Sequence, residues 1–182
     1  MYKNCVRSTS LQRQAAILDC FVRLMETEGY RSLTIRHICQ ELGLSRTVFY
    51  RYFETKEDLL TALEDQIIMK LELEPSSMED GSSLPWFLFW QKNHRLMRVL
   101  DENDLAAHLS ERIAAETVKK YVTPMKFRMS ASSYLTLEIK LQTAMHLMFS
   151  MAVESVRRNQ LAHPETTAQF CDDFLHNPLL AF

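Results

Sequence analysis

Glycine is scarce in this chain, with three in 182 residues, beside five prolines. Phosphate-binding loops gather several glycines within a few positions, so nucleotide cradles of the P-loop or dinucleotide type are excluded. Folds built on many tight turns use more of both residues, which argues against a sheet-rich architecture. The four cysteines, Cys5, Cys20, Cys39 and Cys171, form no C-x-x-C pair. With no secretory context to oxidise them, they fit a reduced, cytoplasmic setting. A secretory leader is not expected: residues 1–10 are polar, carry Lys3 and Arg7, and have no apolar run behind them. The longest nearly apolar stretch, Ala144 to Val153, contains His146 and Ser150. It is about half of the roughly 20 residues that a membrane span needs, so no membrane contact is expected.

What is present is enough to fold. Hydrophobic residues make up 47% and charged residues 24%, the balance of a globular protein with a real core. Disorder as the dominant state is excluded. Ten methionines suit an adaptable interior. Charge is divided unevenly: residues 1–53 carry +4 and residues 54–182 carry −6, for a total of −2. A basic third on an acidic body suggests a nucleic-acid contact at one end.

Apolar spacing predicts helices throughout. Leu11, Ala15, Leu18, Val22 and Met25 recur at steps of three and four, with Ile17, Phe21 and Leu24 widening the stripe. Gly29 suits the left-handed position that ends this first helix. Thr34 caps a short second helix through Glu41, and Ser45 a third through Tyr52. A fourth begins at Thr55, where Thr55-Lys56-Glu57-Asp58 approximates a capping box, and its stripe is Leu59, Leu63, Ile67 and Leu71. Residues 74–83, EPSSMEDGSS, read as a linker or exposed loop. Beyond it, helices are expected over residues 84–100, 103–122 and 134–161, and from Pro164 to before Pro178. Residues 124–129 give no clear signal.

Residues 35–52 match a more specific pattern. Two short helices crossing steeply need apolar residues facing a supporting helix, a small residue where backbones approach, and glycine at the turn. Ile35, Ile38, Leu42, Leu44, Phe49 and Tyr52 supply the first, Cys39 the second and Gly43 the third. On the other face of the third helix stand Ser45, Arg46, Thr47, Tyr50 and Arg51, groups that bind phosphates and base edges. No acid occurs between Glu41 and Glu54.

The stretch AAILDCFVRLMETEGYRSLTIRHICQELGLSRTVFYRYFETKEDLL resembles the TetR family of bacterial transcriptional regulators, most specifically in FYRYFETKEDLL. The resemblance covers about residues 10–60. It implies an all-α fold: an N-terminal three-helix helix-turn-helix domain, residues 1–54, joined by a linking helix to a helical ligand-binding and dimerisation domain, residues 55–182. It also implies roles. Thr34 caps helix 2 and touches a phosphate, and Arg36 approaches the backbone or groove edge. Ser45 and Arg46 open the recognition helix, Thr47 and Arg51 read bases, and Tyr50 and Lys56 clamp phosphates. Tyr52 and Phe53 belong to the core. Three positions depart from the family's habit: Thr47 stands where glycine or alanine is usual, Val48 where threonine is, and Arg51 where histidine is. Arg51 suits bidentate binding of guanine.

After Leu73 the resemblance is architectural. The aromatic run at Trp86, Phe87, Phe89 and Trp90 suits a pocket for a planar or apolar effector, with Trp86, Trp90, His94, Met97 and Met145 as candidate lining. The alternative is that these groups only fill a core. The histidines are too scattered for a metal site, and no cofactor motif or catalytic constellation appears, so an enzyme is not expected. Between Leu135 and Val156 apolar residues fall on nearly every face, and a helix of that kind is buried on both sides. A homodimer is therefore expected through residues 134–160 and 164–176, with Met148 as an interface position. The expected function is a homodimeric, ligand-responsive repressor that binds a palindromic operator through residues 45–52. The alternative is a DNA-binding regulator, or activator, that answers to a protein partner.

Overall fold

The structure is a computed structural model, and it describes residues 8–73, 82–159 and 163–175. Cys5, most of the expected linker and Pro178 lie outside the described residues. Among these residues the fold is all-α, and contacts divide the chain into two compact units, Met1–Lys70 and Leu71–Phe182.

The first unit holds α1 (Ser8–Glu28), α2 (Ile35–Glu41), α3 (Arg46–Phe49) and most of α4 (Lys56–Leu73). Its core is Ile17, Leu18, Phe21, Leu24 and Met25 from α1, with Leu33, Ile38, Phe49, Phe53, Leu59 and Leu63. Leu18 and Met25 of the expected axis are buried together with Ile17, Phe21 and Leu24, Val22 is half-buried, and Leu11 and Ala15 are exposed. Ile38 and Phe49 are buried as expected of the paired helices, and Ile35, Leu42, Leu44 and Tyr52 are half-buried. Burial of Leu59, Leu63 and Ile67 holds most of α4 in the first unit, so the compact units part inside α4 and not at its start. Arg23 to Glu41 (3.1 Å) and His37 to Glu28 (2.8 Å) bridge α1 and α2. Cys20 and Cys39 are buried here, and burial pushes both thiols above their ordinary range.

The second unit holds α5 (Leu84–Lys92), α6 (His94–Glu102), α7 (Ala106–Tyr121), a 3-10 turn (Thr123–Met125), α8 (Ala131–Arg157) and α9 (Pro164–Leu175). α7 packs along α8, α5 along α9, and α6 against both α7 and α8. The single helix expected over residues 84–100 is two. The break falls at Asn93, whose side-chain amide turns back onto the Phe89 carbonyl (2.8 Å) beside its own backbone N–H (3.0 Å). Asn103 ends α6 in the same way on Val99 (2.7 Å). α8 begins earlier than its apolar stripe, because the Ser130 hydroxyl accepts the Ser133 N–H (3.1 Å). Asp172 of α9 accepts the Ser83 N–H (2.9 Å) and ties α9 to the start of α5.

Candidate nucleic-acid interface

The turn between α2 and α3 sets the geometry. α2 is capped by Thr34, whose hydroxyl accepts the His37 N–H (3.2 Å), and α3 by Ser45, whose hydroxyl accepts the Val48 N–H (3.3 Å). Between them Gly43 has φ +60, and a Cβ there would meet nothing within 4 Å. Backbone conformation, not space, therefore calls for glycine at this position. α3 is shorter than the sequence suggests. After Phe49 the chain tightens, with the Arg51 N–H on the Val48 carbonyl (3.2 Å) and the Tyr52 N–H on Phe49 (2.9 Å).

Seven of the eight residues expected to meet DNA, Thr34, Arg36, Ser45, Arg46, Thr47, Tyr50 and Arg51, are exposed. Among the described residues, no carboxylate pairs with Arg36, Arg46 or Arg51. Tyr50 lies edge-on to the buried Phe49 ring (5.7 Å between centroids), which leaves its hydroxyl end outward. The face thus presents three unpaired guanidinium groups, three hydroxyl side chains and a phenol, with no acid between Glu41 and Glu54. Such a face suits contact with phosphates and groove edges.

Lys56 differs from the rest. It is half-buried, its ammonium donates to the Tyr30 carbonyl (2.9 Å), and it stands over the Tyr30 ring (4.2 Å to the centroid). It braces the α1–α2 connection against the first turn of α4, and an ammonium with three donors still has capacity for a phosphate. The Tyr30 hydroxyl is pushed above its ordinary range by burial and by the Glu57 carboxylate. Nothing in local spacing points to Tyr30 as a partner, since 26 positions separate the two residues. At the start of α4 the expected capping box is formed: Thr55 accepts the Asp58 N–H (3.1 Å), and Asp58 accepts the N–H of Glu54 (2.9 Å) and Thr55 (3.1 Å).

Residues 17–63 match the family profile described as bacterial regulatory proteins, tetR family. The N-terminal unit belongs to the TetR family. A relative described as the HTH-type transcriptional regulator EthR, from Mycolicibacterium smegmatis, is 33% identical over 70 residues, 38% of this chain and 32% of that protein. The nucleoid occlusion factor SlmA of Shewanella denitrificans is 31% identical over 36% of each chain. The dhaKLM operon transcriptional activator DhaS of Lactococcus lactis is 29% identical over 53% of this chain and 47% of its own. The chain thus spans about a third of the length of the first curated relatives it matches. A solved TetR/AcrR-family regulator from Thermobifida fusca aligns with 92% of this chain at 17% identity and a TM-score of 0.47. The TetR-family segment ends within α4, before the second unit begins.

In that second unit the five residues expected to line a pocket lie in different surroundings. Trp90, Met97 and Met145 are buried. Trp86 is half-buried and donates its indole N–H to the Met148 carbonyl (3.2 Å). His94 is exposed, with its ring nitrogen beside the Gln91 carbonyl (3.0 Å). Trp86, Trp90, Phe89 and Phe149 pack edge to face. An open cleft of about 420 Å³ lies between α7 and α8, and its lining includes Ala106, Ser110, His146, Phe149, Val153 and Arg157, none of the five. Within it the Ser110 hydroxyl and His146 Nδ1 are 2.9 Å apart, and Arg157 is held by Asp101 through two 2.7 Å bonds. Among the described residues no cluster of metal-binding side chains forms, and no helix is long and apolar enough to cross a membrane.

Proposed function

We propose that this chain is a cytoplasmic, homodimeric transcriptional regulator, a repressor that leaves a palindromic operator when a small molecule binds its second unit. The observation that carries the reading is the face formed by α3 and the turn after it, where Arg46, Thr47, Tyr50 and Arg51 are exposed and the arginines have no carboxylate partner among the described residues. One such helix covers a few base pairs, so two copies related by a twofold axis are needed for a specific site. Exposed apolar side chains on α8 and α9, Leu135, Ile139, Phe170 and Phe174, supply surface for that pairing. Met148, expected at the interface, is buried within its own unit and is not available for it.

The effector would act by binding two conformations unequally. α4 is the lever in this reading, because it is one uninterrupted helix within which the chain passes from the first unit to the second. The test is selection of binding sites from a random duplex pool, followed by titration in rising salt. A palindromic consensus is expected, with affinity falling steeply as salt rises because phosphate contacts release counterions. A pool that yields no consensus, or binding indifferent to salt, would sink the reading.

A second reading, regulation by a protein partner with or without activation, is favoured by one observation. The Phe127 ring is 96% exposed between Lys126 and Arg128, in a stretch with no acid between Glu116 and Glu138. Under this reading Phe127→Ser leaves operator affinity unchanged in vitro and abolishes regulation in cells. Under the ligand-responsive reading it changes neither.

A further inference from the structure

The indole of Trp90 is fully buried, and among the described residues its N–H has no hydrogen-bond partner. A buried donor left without an acceptor is costly, so such groups are rare and call for an explanation. Trp86, at 6.0 Å in the same cluster, places its own N–H on the Met148 carbonyl.

Phe149 belongs both to this cluster and to an open cleft. Its ring packs edge to face with Trp90, at 5.4 Å between centroids, and it is also part of the wall of the 420 Å³ cleft between α7 and α8. That volume lies within the roughly 300–1,000 Å³ typical of small-molecule sites. Phe149 is thus shared by the cleft wall and the Trp90 cluster. The methionines of α8, Met145 and Met148, are buried in the same stretch of helix, and their unbranched side chains repack readily. At the mouth of the cleft the Ser110–His146 pair adds polar groups, and Arg157 is already held by Asp101.

We propose that the second unit binds an uncharged molecule with an apolar, ring-sized body and one acceptor oxygen of the carbonyl type. It enters by the cleft, displaces Phe149, and takes the Trp90 N–H as its hydrogen-bond donor. Neutrality follows from the surroundings, since a carboxylate brought among these rings would lose its hydration, and the arginine of the cleft, Arg157, is already held by Asp101. The proposal rests on the ligand-responsive reading and specifies the chemistry of its effector.

Acetophenone and ethylbenzene are suitable probes, because they share a body and differ in the carbonyl oxygen. The chain has two tryptophans, so the nitrogen-15 spectrum of the full-length protein has two indole signals, which Trp86→Phe assigns. Acetophenone is expected to move the Trp90 indole proton downfield and to bind about tenfold more tightly than ethylbenzene, as one net hydrogen bond predicts. Trp90→Phe should abolish that preference and leave ethylbenzene binding in place. Phe149→Ala should strengthen binding of both probes while keeping the preference, and it serves as the test if Trp90→Phe does not fold. Equal binding of the two probes, a preference that survives Trp90→Phe, or an unmoved Trp90 signal would each overturn the proposal. Release of operator DNA is measured separately. Probe binding at Trp90 without release keeps this site and removes the regulatory reading, whereas release by other compounds in Trp90→Phe does the reverse.

Discussion

Arg51 and Lys56 are both cations of the first unit, yet their surroundings assign them different work. Arg51 is exposed and unpaired among the described residues, whereas Lys56 is engaged by Tyr30. Arg51→Ala is expected to relax base preference at one position of each half-site, costing about 1–3 kcal/mol against the selected site and little against random DNA. Equal losses on both would show that Arg51 touches only phosphate. Lys56→Ala is expected to weaken all sequences alike and, unlike Arg51→Ala, to lower the melting temperature, because the brace on Tyr30 is lost. Calorimetry of the two variants separates the roles. Residues whose partners lie within four positions were legible beforehand: Thr34, Ser45 and the Thr55–Asp58 box act on their own helix starts. The Lys56–Tyr30 contact was not legible, because no local period links those two residues.

Among the elements, the helix-turn-helix was the most readable, since its spacing rule is steric and its residues are consecutive. Gly43 shows why the rule is strict. Alanine fits the space but not the φ of +60, and the left-handed conformation costs a non-glycine residue about 1–2 kcal/mol. Gly43→Ala is therefore expected to lower the melting temperature by several degrees without a packing clash, and a differential scan showing no change would refute the account. The break between α5 and α6 was misread because apolar spacing runs through Asn93 unaltered. The end of α5 is marked by one amide side chain folded back on the Phe89 carbonyl, which hydrophobic period does not register. The start of α8 was placed late for the complementary reason: its first turn, Ala131 to Ser133, is small and polar, and only the Ser130 cap marks it. The expected stripe of α1 holds at Leu18 and Met25 and fails at its first turns, where Leu11 is apolar but exposed.

For the molecule as a whole, composition was enough for the all-helical class but not for deciding which side of α8 faces its own unit. Met145, Met148, Phe149 and Val156 are inward, and Leu135 and Ile139 are outward. The dimer prediction is accordingly moved to the outward set. Ile139→Asp and Phe170→Asp are expected to give folded monomers with much weaker operator binding, and the wild-type interface should bury more than about 1,200 Å². Sedimentation showing wild-type monomers at micromolar concentration would refute it, as would dimers that survive both substitutions. Met148→Asp would lower stability instead, and so would not report on assembly. The turn after α7 carries one more consequence. Lys126 and Arg128 flank a ring almost wholly in water, and trypsin cuts after basic residues on exposed chain. Brief digestion should nick the protein there early, and a bound partner that shields the turn would announce itself as a delayed cut, readable on a gel before that partner has been identified.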